Sequence, residues 1–163
     1  MRITDLLSKD GIELNVNAKD KNDIINKMTK LMLKTGRITD LNAYKELVLK
    51  REEEGSTGVG EGIAIPHGKG DCVTEPGLVA MVVPNGVEYD ALDGKPVNLL
   101  FMIAAPNTSD NVHLDVLSRL STMLMDTEFK NKLISAKSKE EFLNIINETE
   151  NEKFKEETKQ EQG

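Results

Sequence analysis

His67 and His113 are the only imidazoles in the chain, and His67 stands in the run Gly-Ile-Ala-Ile-Pro-His-Gly-Lys-Gly. Pro66 fixes its own φ and biases Ile65 toward extended backbone, while Gly68 and Gly70 are expected to leave the chain beyond His67 unshielded. A histidine placed this way is held on one side and approachable on the other. With an unperturbed pKa near ~6.5, a useful fraction of it is neutral and nucleophilic at cytoplasmic pH. Phosphoryl transfer asks for little more than positioning plus donors to the equatorial oxygens, and glycine N–H groups or cationic side chains can supply those. The alternative is an ordinary loop histidine among turn glycines, and the local residues alone leave both readings open.

Nucleotide chemistry fits this segment poorly. A phosphate loop needs glycine five positions before Gly68, where Ile63 stands, and Ser or Thr after Lys69, where Gly70 stands. The dinucleotide fingerprint fails because Gly60-Glu61-Gly62 is followed by Ile65 at the third glycine position. Thr57 and Glu61 flank the loop and are candidates to bond a phosphoryl group or orient His67, against the plainer reading of turn formers. Cys72 invites a second relay position, but a lone cysteine without a phosphate-cradling loop reads as a small apolar residue, and the methionines read as packing.

The elements that must carry these residues are legible from periodicity. Ile24, Ile25, Met28, Leu31 and Met32 predict a first helix ending at Gly36. Asp40 caps a second through Leu41, Tyr44, Leu47 and Val48, which delivers Arg51 near its C-terminal end before Gly55. Residues 55–70 read as loop, short strand at Ile63 to Ile65, loop. Gly77 to Pro84 and Val97 to Ala105 read as buried strands, with Val87 to Leu92 a further strand entering a turn at Asp93-Gly94. Ser109 or Asp110 is expected to cap a third helix with His113 in its first turn and Leu114, Leu117, Leu120, Met123 and Leu124 on one face. Two shorter helices follow, the last opening with a Ser138/Glu141 capping box. From about Asn147 the chain turns polar, so residues 1–147 are expected to form one domain and 148–163 a tail or linker. Helices mixed with short strands predict a single α/β domain with a mixed β-sheet flanked by helices.

Composition narrows the partners. The net charge is −7, with basic residues dispersed among acids, which disfavours nucleic acid. One cysteine and two histidines exclude a disulfide framework and a structural zinc cluster. Neither a membrane-spanning run nor a signal pattern is present, so a cytoplasmic protein without direct membrane insertion is expected.

The stretches REEEGSTGVGEGIAIPHGKG (Arg51 to Gly70), LLFMIAAP (Leu99 to Pro106) and HLDVLSRLS (His113 to Ser121) resemble the enzyme IIA domains of the bacterial sugar phosphotransferase system, fructose/mannitol type, closest to the fructose branch. The resemblance implies that His67 is the phosphorylated residue, taking its phosphoryl group from HPr and passing it to the cysteine of a IIB domain in the same or another polypeptide. It also implies that Arg51 and His113, otherwise a residue of a solvated charged run and a surface histidine, lie beside the phosphoryl group, where a guanidinium fork and an imidazole N–H suit its oxygens. No metal, nucleotide or other cofactor is implied. A nitrogen-related regulatory protein of the same family is the nearest alternative, and a binding or structural α/β domain without chemistry is the alternative from another class.

Overall fold

The computed structural model describes residues 2–108 and 110–154. Its centre is a six-stranded mixed sheet in the order β1-β5-β6-β3-β2, with β4 also paired to β6. The strands are β1 (Ile12–Glu13), β2 (Gly58–Gly60), β3 (Ile63–Ala64), β4 (His67–Gly70), β5 (Gly77–Val87) and β6 (Val97–Pro106). Helices α2 (Lys21–Lys34) and α3 (Leu41–Glu53) cover one face; α1 (Ile3–Leu6), α4 (Val112–Leu124), α5 (Thr127–Ile134) and α6 (Lys139–Lys153) cover the other. The expected mixed sheet flanked by helices is therefore the fold.

Coverage of both faces explains why β5 and β6 are continuous apolar runs instead of alternating ones. In β6, Leu100, Met102 and Ala104 enter the core under α2 and α3, while Leu99, Phe101 and Ile103 enter the core under α4 to α6. Met123 is fully buried, but Met125 is 84% exposed and does not serve packing as expected. Asp40 caps α3 by accepting from Ala43 N at 3.0 Å, and Gly36 follows α2 with φ +81°, a left-handed position that glycine adopts freely.

Three expected boundaries change. Val87 to Leu92 is not a separate strand: β5 continues to Val87 through an irregularity at positive-φ Gly86, and a turn closed by Gly94 N to Ala91 O leads into β6. Residues 67–70 form a strand, not a loop. Strands β3 and β4 both run parallel to β6 in one unbroken register, Ile63 opposite Leu99 and His67 opposite Ile103. They are one strand interrupted at Ile65-Pro66, where proline has no N–H to give the ladder, with β2 on the outer side of β3.

The third change concerns the expected tail. Helix α6 runs to Lys153 and is not short, so 148–153 belong to the domain; residues 155–163 lie outside the described residues. What holds α6 there is polar. The fully buried Glu150 carboxylate accepts from Ile3 N at 2.7 Å, Thr4 N at 3.3 Å and Arg119 Nε at 2.9 Å, and Arg119 in turn stacks 3.9 Å from the Phe154 ring centroid. Removing one partner of a buried ion pair strands the other. Glu150→Ala is thus expected to lower unfolding free energy by roughly 3 kcal/mol, and Glu150→Gln by less, measured by urea denaturation. A loss under about 0.5 kcal/mol for Glu150→Ala would show that α6 does not depend on this contact.

Candidate functional site

His67 opens β4, and its Nδ1 lies 3.0 Å from the carbonyl oxygen of Ile65. A carbonyl only accepts, so Nδ1 carries the proton of the neutral ring and Nε2 keeps the lone pair. Local backbone explains the bond. Pro66 O accepts from Ile103 N at 3.0 Å, while Ile65 N donates to Thr57 O at 3.0 Å on the opposite side. Among the described residues the Ile65 carbonyl is left to the imidazole.

Strand alternation aims the ring. Gly68 packs flush on α3: a Cβ there would stand 3.1 Å from Leu47 Cβ, and one at Gly70 only 2.4 Å from Leu47 Cδ1. These glycines are small because a helix covers them, not to leave the backbone unshielded as expected. Tyr44, fully buried beneath Gly68, donates to Ile103 O at 2.7 Å, fixing α3 to the residue opposite His67. With Gly68 facing α3, His67 faces α4.

There it meets His113, the second residue of α4. The ring centroids are 6.2 Å apart with planes tilted by 31°. The expected caps are not seen: Asn111 occupies the N-cap position without a side-chain bond, and Ser109 lies outside the described residues. Helix α4 therefore presents first-turn N–H groups and its positive end beside the two imidazoles. His113 Nδ1 is buried without a hydrogen-bond partner among the described residues. Burial first, then the neighbouring His67 and Lys69, lowers the His113 pKa, with Asp115 opposing. His113 is held neutral, and since a buried lone pair is less costly to leave unmet than a buried N–H, its proton belongs on Nε2.

The other expected site residues are placed differently. Arg51 lies in the last turn of α3 one turn beyond Leu47, but its Nη1 donates to Gly55 O at 2.9 Å and its Nε faces Glu54 at 4.0 Å. It is hydrogen-bonded to its own helix end, not to either histidine. The Thr57 hydroxyl is buried, bonded to the Glu52 carboxylate and 3.1 Å from the Tyr89 hydroxyl, which leaves none of it for a phosphoryl group. Glu61 sits at the far end of β3 with φ +57°, its N–H on Asp93 at 3.1 Å and its carbonyl on Lys130 Nζ at 2.9 Å. Turn formation wins for Glu61, and the structure does not bring it to His67. Half-buried Cys72 packs against the core under α2 and α3, and burial pushes its thiol up.

A residue missed at the sequence level is Glu52. At the end of α3, with its side chain only 5% exposed, it accepts from Lys21 Nζ at 2.9 Å and Thr57 N at 3.1 Å as well as from the Thr57 hydroxyl. Lys21 also lies 4.8 Å over the Tyr89 ring. This knot shapes the loop whose Gly55 carbonyl holds Arg51 and whose Thr57 carbonyl holds Ile65. Its only signal in sequence is one acid within a run of three.

A paired-histidine site at the edge of a mixed sheet, set against a helix N-terminus, sits in a fold shared with solved enzyme IIA proteins. The nitrogen regulatory protein IIA-Ntr from Neisseria meningitidis superposes with a TM-score of 0.82 at 30% identity, over 88% of this chain and 98% of that one. Enzyme IIAMTL from Escherichia coli, solved in complex with phosphorylated enzyme IIBMTL, superposes with a TM-score of 0.77 at 28% identity, over 87% and 99%. Residues 5–149 match the family described as phosphoenolpyruvate-dependent sugar phosphotransferase system, EIIA 2, and the chain belongs to that family. It is 46% identical over 148 residues to the fructose-specific EIIABC component of Bacillus subtilis, covering 91% of this chain but 23% of that protein. Among the described residues no helix is long and apolar enough to cross a membrane.

The lowered pKa of His113 has a sign that can be tested. Its folded form binds a proton less readily than the unfolded chain, so the stability cost is absent above the ordinary pKa and grows as pH falls below ~6.5. Imidazole NMR is expected to find His113 titrating below that value and, in His67→Ala, moving upward as the neighbouring charge is lost. A His113 midpoint indifferent to His67 would show that the rings do not sense each other.

Proposed function

We propose that this chain is the phosphocarrier of a fructose-type sugar phosphotransferase system, working in the cytoplasm, in which His67 Nε2 accepts a phosphoryl group from the phosphohistidine of HPr and hands it to the cysteine of a IIB domain. The observation that carries this reading is the His67 Nδ1 to Ile65 carbonyl bond, which in the neutral ring puts the lone pair on Nε2, with the ring beside His113.

In the forward step the Nε2 lone pair attacks phosphorus in line with the departing HPr nitrogen. One N–P bond forms as another breaks, and the HPr imidazole, protonated on its other nitrogen throughout, leaves neutral. His67 becomes an imidazolium bearing a phosphoryl dianion, with its proton still on Nδ1. The Ile65 carbonyl stabilises that developing ring charge without itself taking the proton, so no proton need move. His113 Nε2–H and the open end of α4 serve the equatorial oxygens. Arg51 exchanges the Gly55 carbonyl for a third oxygen, a side-chain rotation at the helix end. Transfer onward runs the same geometry toward a thiolate.

Fructose as the sugar is supported by the identity to the Bacillus subtilis component, whose activity belongs to a longer protein. The likeness to the Neisseria meningitidis regulatory protein favours a second reading, in which the same phosphohistidine signals instead of feeding uptake. Whether a IIB cysteine discharges the label separates the two.

Incubation with phosphoenolpyruvate, enzyme I and HPr is expected to add one acid-labile phosphoryl group, seen by intact-mass spectrometry and absent in His67→Ala. Label persisting in His67→Ala would sink the assignment. In His113→Ala, labelling is expected to survive while onward transfer slows by roughly 10- to 100-fold, the loss of one oxyanion donor.

A further inference from the structure

Lys69 stands two residues beyond His67 on the same face of β4. The register sets His67 opposite Ile103 and Lys69 opposite Ala105, and the residues between and after them, Gly68 and Gly70, are turned to α3 by their contact with Leu47. Side chains two apart on a strand rise from one face about 7 Å apart, so the Lys69 stem starts next to the imidazole on the side covered by α4.

The ammonium is poorly satisfied where it rests. Its one hydrogen bond among the described residues is a long one, 3.4 Å, to the backbone carbonyl of Asp110, just ahead of α4. Lys69 is half-buried and in no ion pair among the described residues, whereas Lys21 meets Glu52, Arg37 meets Glu75 and Arg119 meets Glu150. Its charge reaches His113, where it opposes protonation. A cation with three donors, rising from the same strand face as His67 and resting on the carbonyl just ahead of an uncapped helix end, fits an anion arriving at His67.

We propose that Lys69 binds an equatorial oxygen of the phosphoryl group on His67, exchanging the Asp110 carbonyl for it, and so completes the site with His113 and Arg51. This rests on the reading of His67 as the phosphorylated residue. No covalent step is added. The lysine favours the phosphoryl dianion over its monoanion, and it holds the group in line during transfer.

The test uses wild type, Lys69→Gln and Lys69→Arg, each phosphorylated through enzyme I and HPr, with single-turnover transfer rates and the pH midpoint of the phosphoryl ³¹P shift as readouts. The neighbouring titratable groups, Asp110, His113 and Asp115, are common to all three. Expected are labelling of all three at His67, transfer to Lys69→Gln slower by roughly three- to tenfold, as one partly exposed charged hydrogen bond allows, a raised ³¹P midpoint in that variant, and recovery of both in Lys69→Arg. Wild-type rate and midpoint in Lys69→Gln would overturn the proposal. So would a slower rate with an unmoved midpoint, which assigns Lys69 to partner docking, or loss of fold in both variants, which assigns it a structural role. Failure of wild type to label overturns the phosphocarrier reading instead.

Discussion

The hydrogen bond from His67 Nδ1 to the Ile65 carbonyl constrains everything built around it. It fixes the tautomer, stops rotation of the ring, and leaves one nitrogen for chemistry. The bond requires that a carbonyl two residues upstream be unclaimed, and here Pro66 O serves Ile103 and Ile65 N serves Thr57 while β3 and β4 keep a single register on β6. The sheet supplies the rigidity and the Ile65 carbonyl selects the nitrogen.

Two buried carboxylates hold the scaffold on either side of that edge. Glu52 ties the end of α3 to Lys21 of α2 and to the loop before β2, so Arg51, Thr57 and Ile65 are placed by one knot. Glu150 ties α6 to the first residues of α1 and to Arg119 of α4, the helix that carries His113. Each carboxylate has several donors, which is the condition under which a buried charge is tolerated. The two histidines thus approach from separately anchored layers, His67 from the sheet and His113 from the helical cover.

Much of this was legible in the sequence, and the failures share a cause. Apolar periodicity located α2, α3, α4 and β6, and Asp40, Gly36 and Ser138 marked helix ends with residues that have local reasons to stand there. Periodicity is blind where small or polar residues do the positioning. The segment His-Gly-Lys-Gly has no apolar alternation, so β4 read as loop, although its glycines are dictated by Leu47 against the sheet. Asn-Glu-Thr-Glu read as tail because its anchor is a carboxylate, whose partners Ile3, Thr4 and Arg119 are remote in sequence. Thr57 and Glu61 looked like site residues from proximity in sequence, yet a strand carries neighbours apart quickly, and both are spent on turns and knots. The histidine motif located His67; only the fold shows which of its nitrogens is free.

The resting state of the site bears on how a relay works. A carrier must accept a phosphoryl group and also release it, so donors with strong partners of their own, or a site strongly positive when empty, would bias one direction. Here His113 is kept from taking a proton by burial and by its neighbours His67 and Lys69. The two cations nearest in the proposed relay, Arg51 and Lys69, rest on backbone carbonyls, with Glu54 only at 4.0 Å from the former. Exchanging a neutral acceptor for a phosphoryl oxygen, and back again, changes few hydrogen bonds and breaks no buried ion pair. Orientation, not depth of binding, is then what the protein contributes, and that is the contribution a rigid strand and an anchored helix can make.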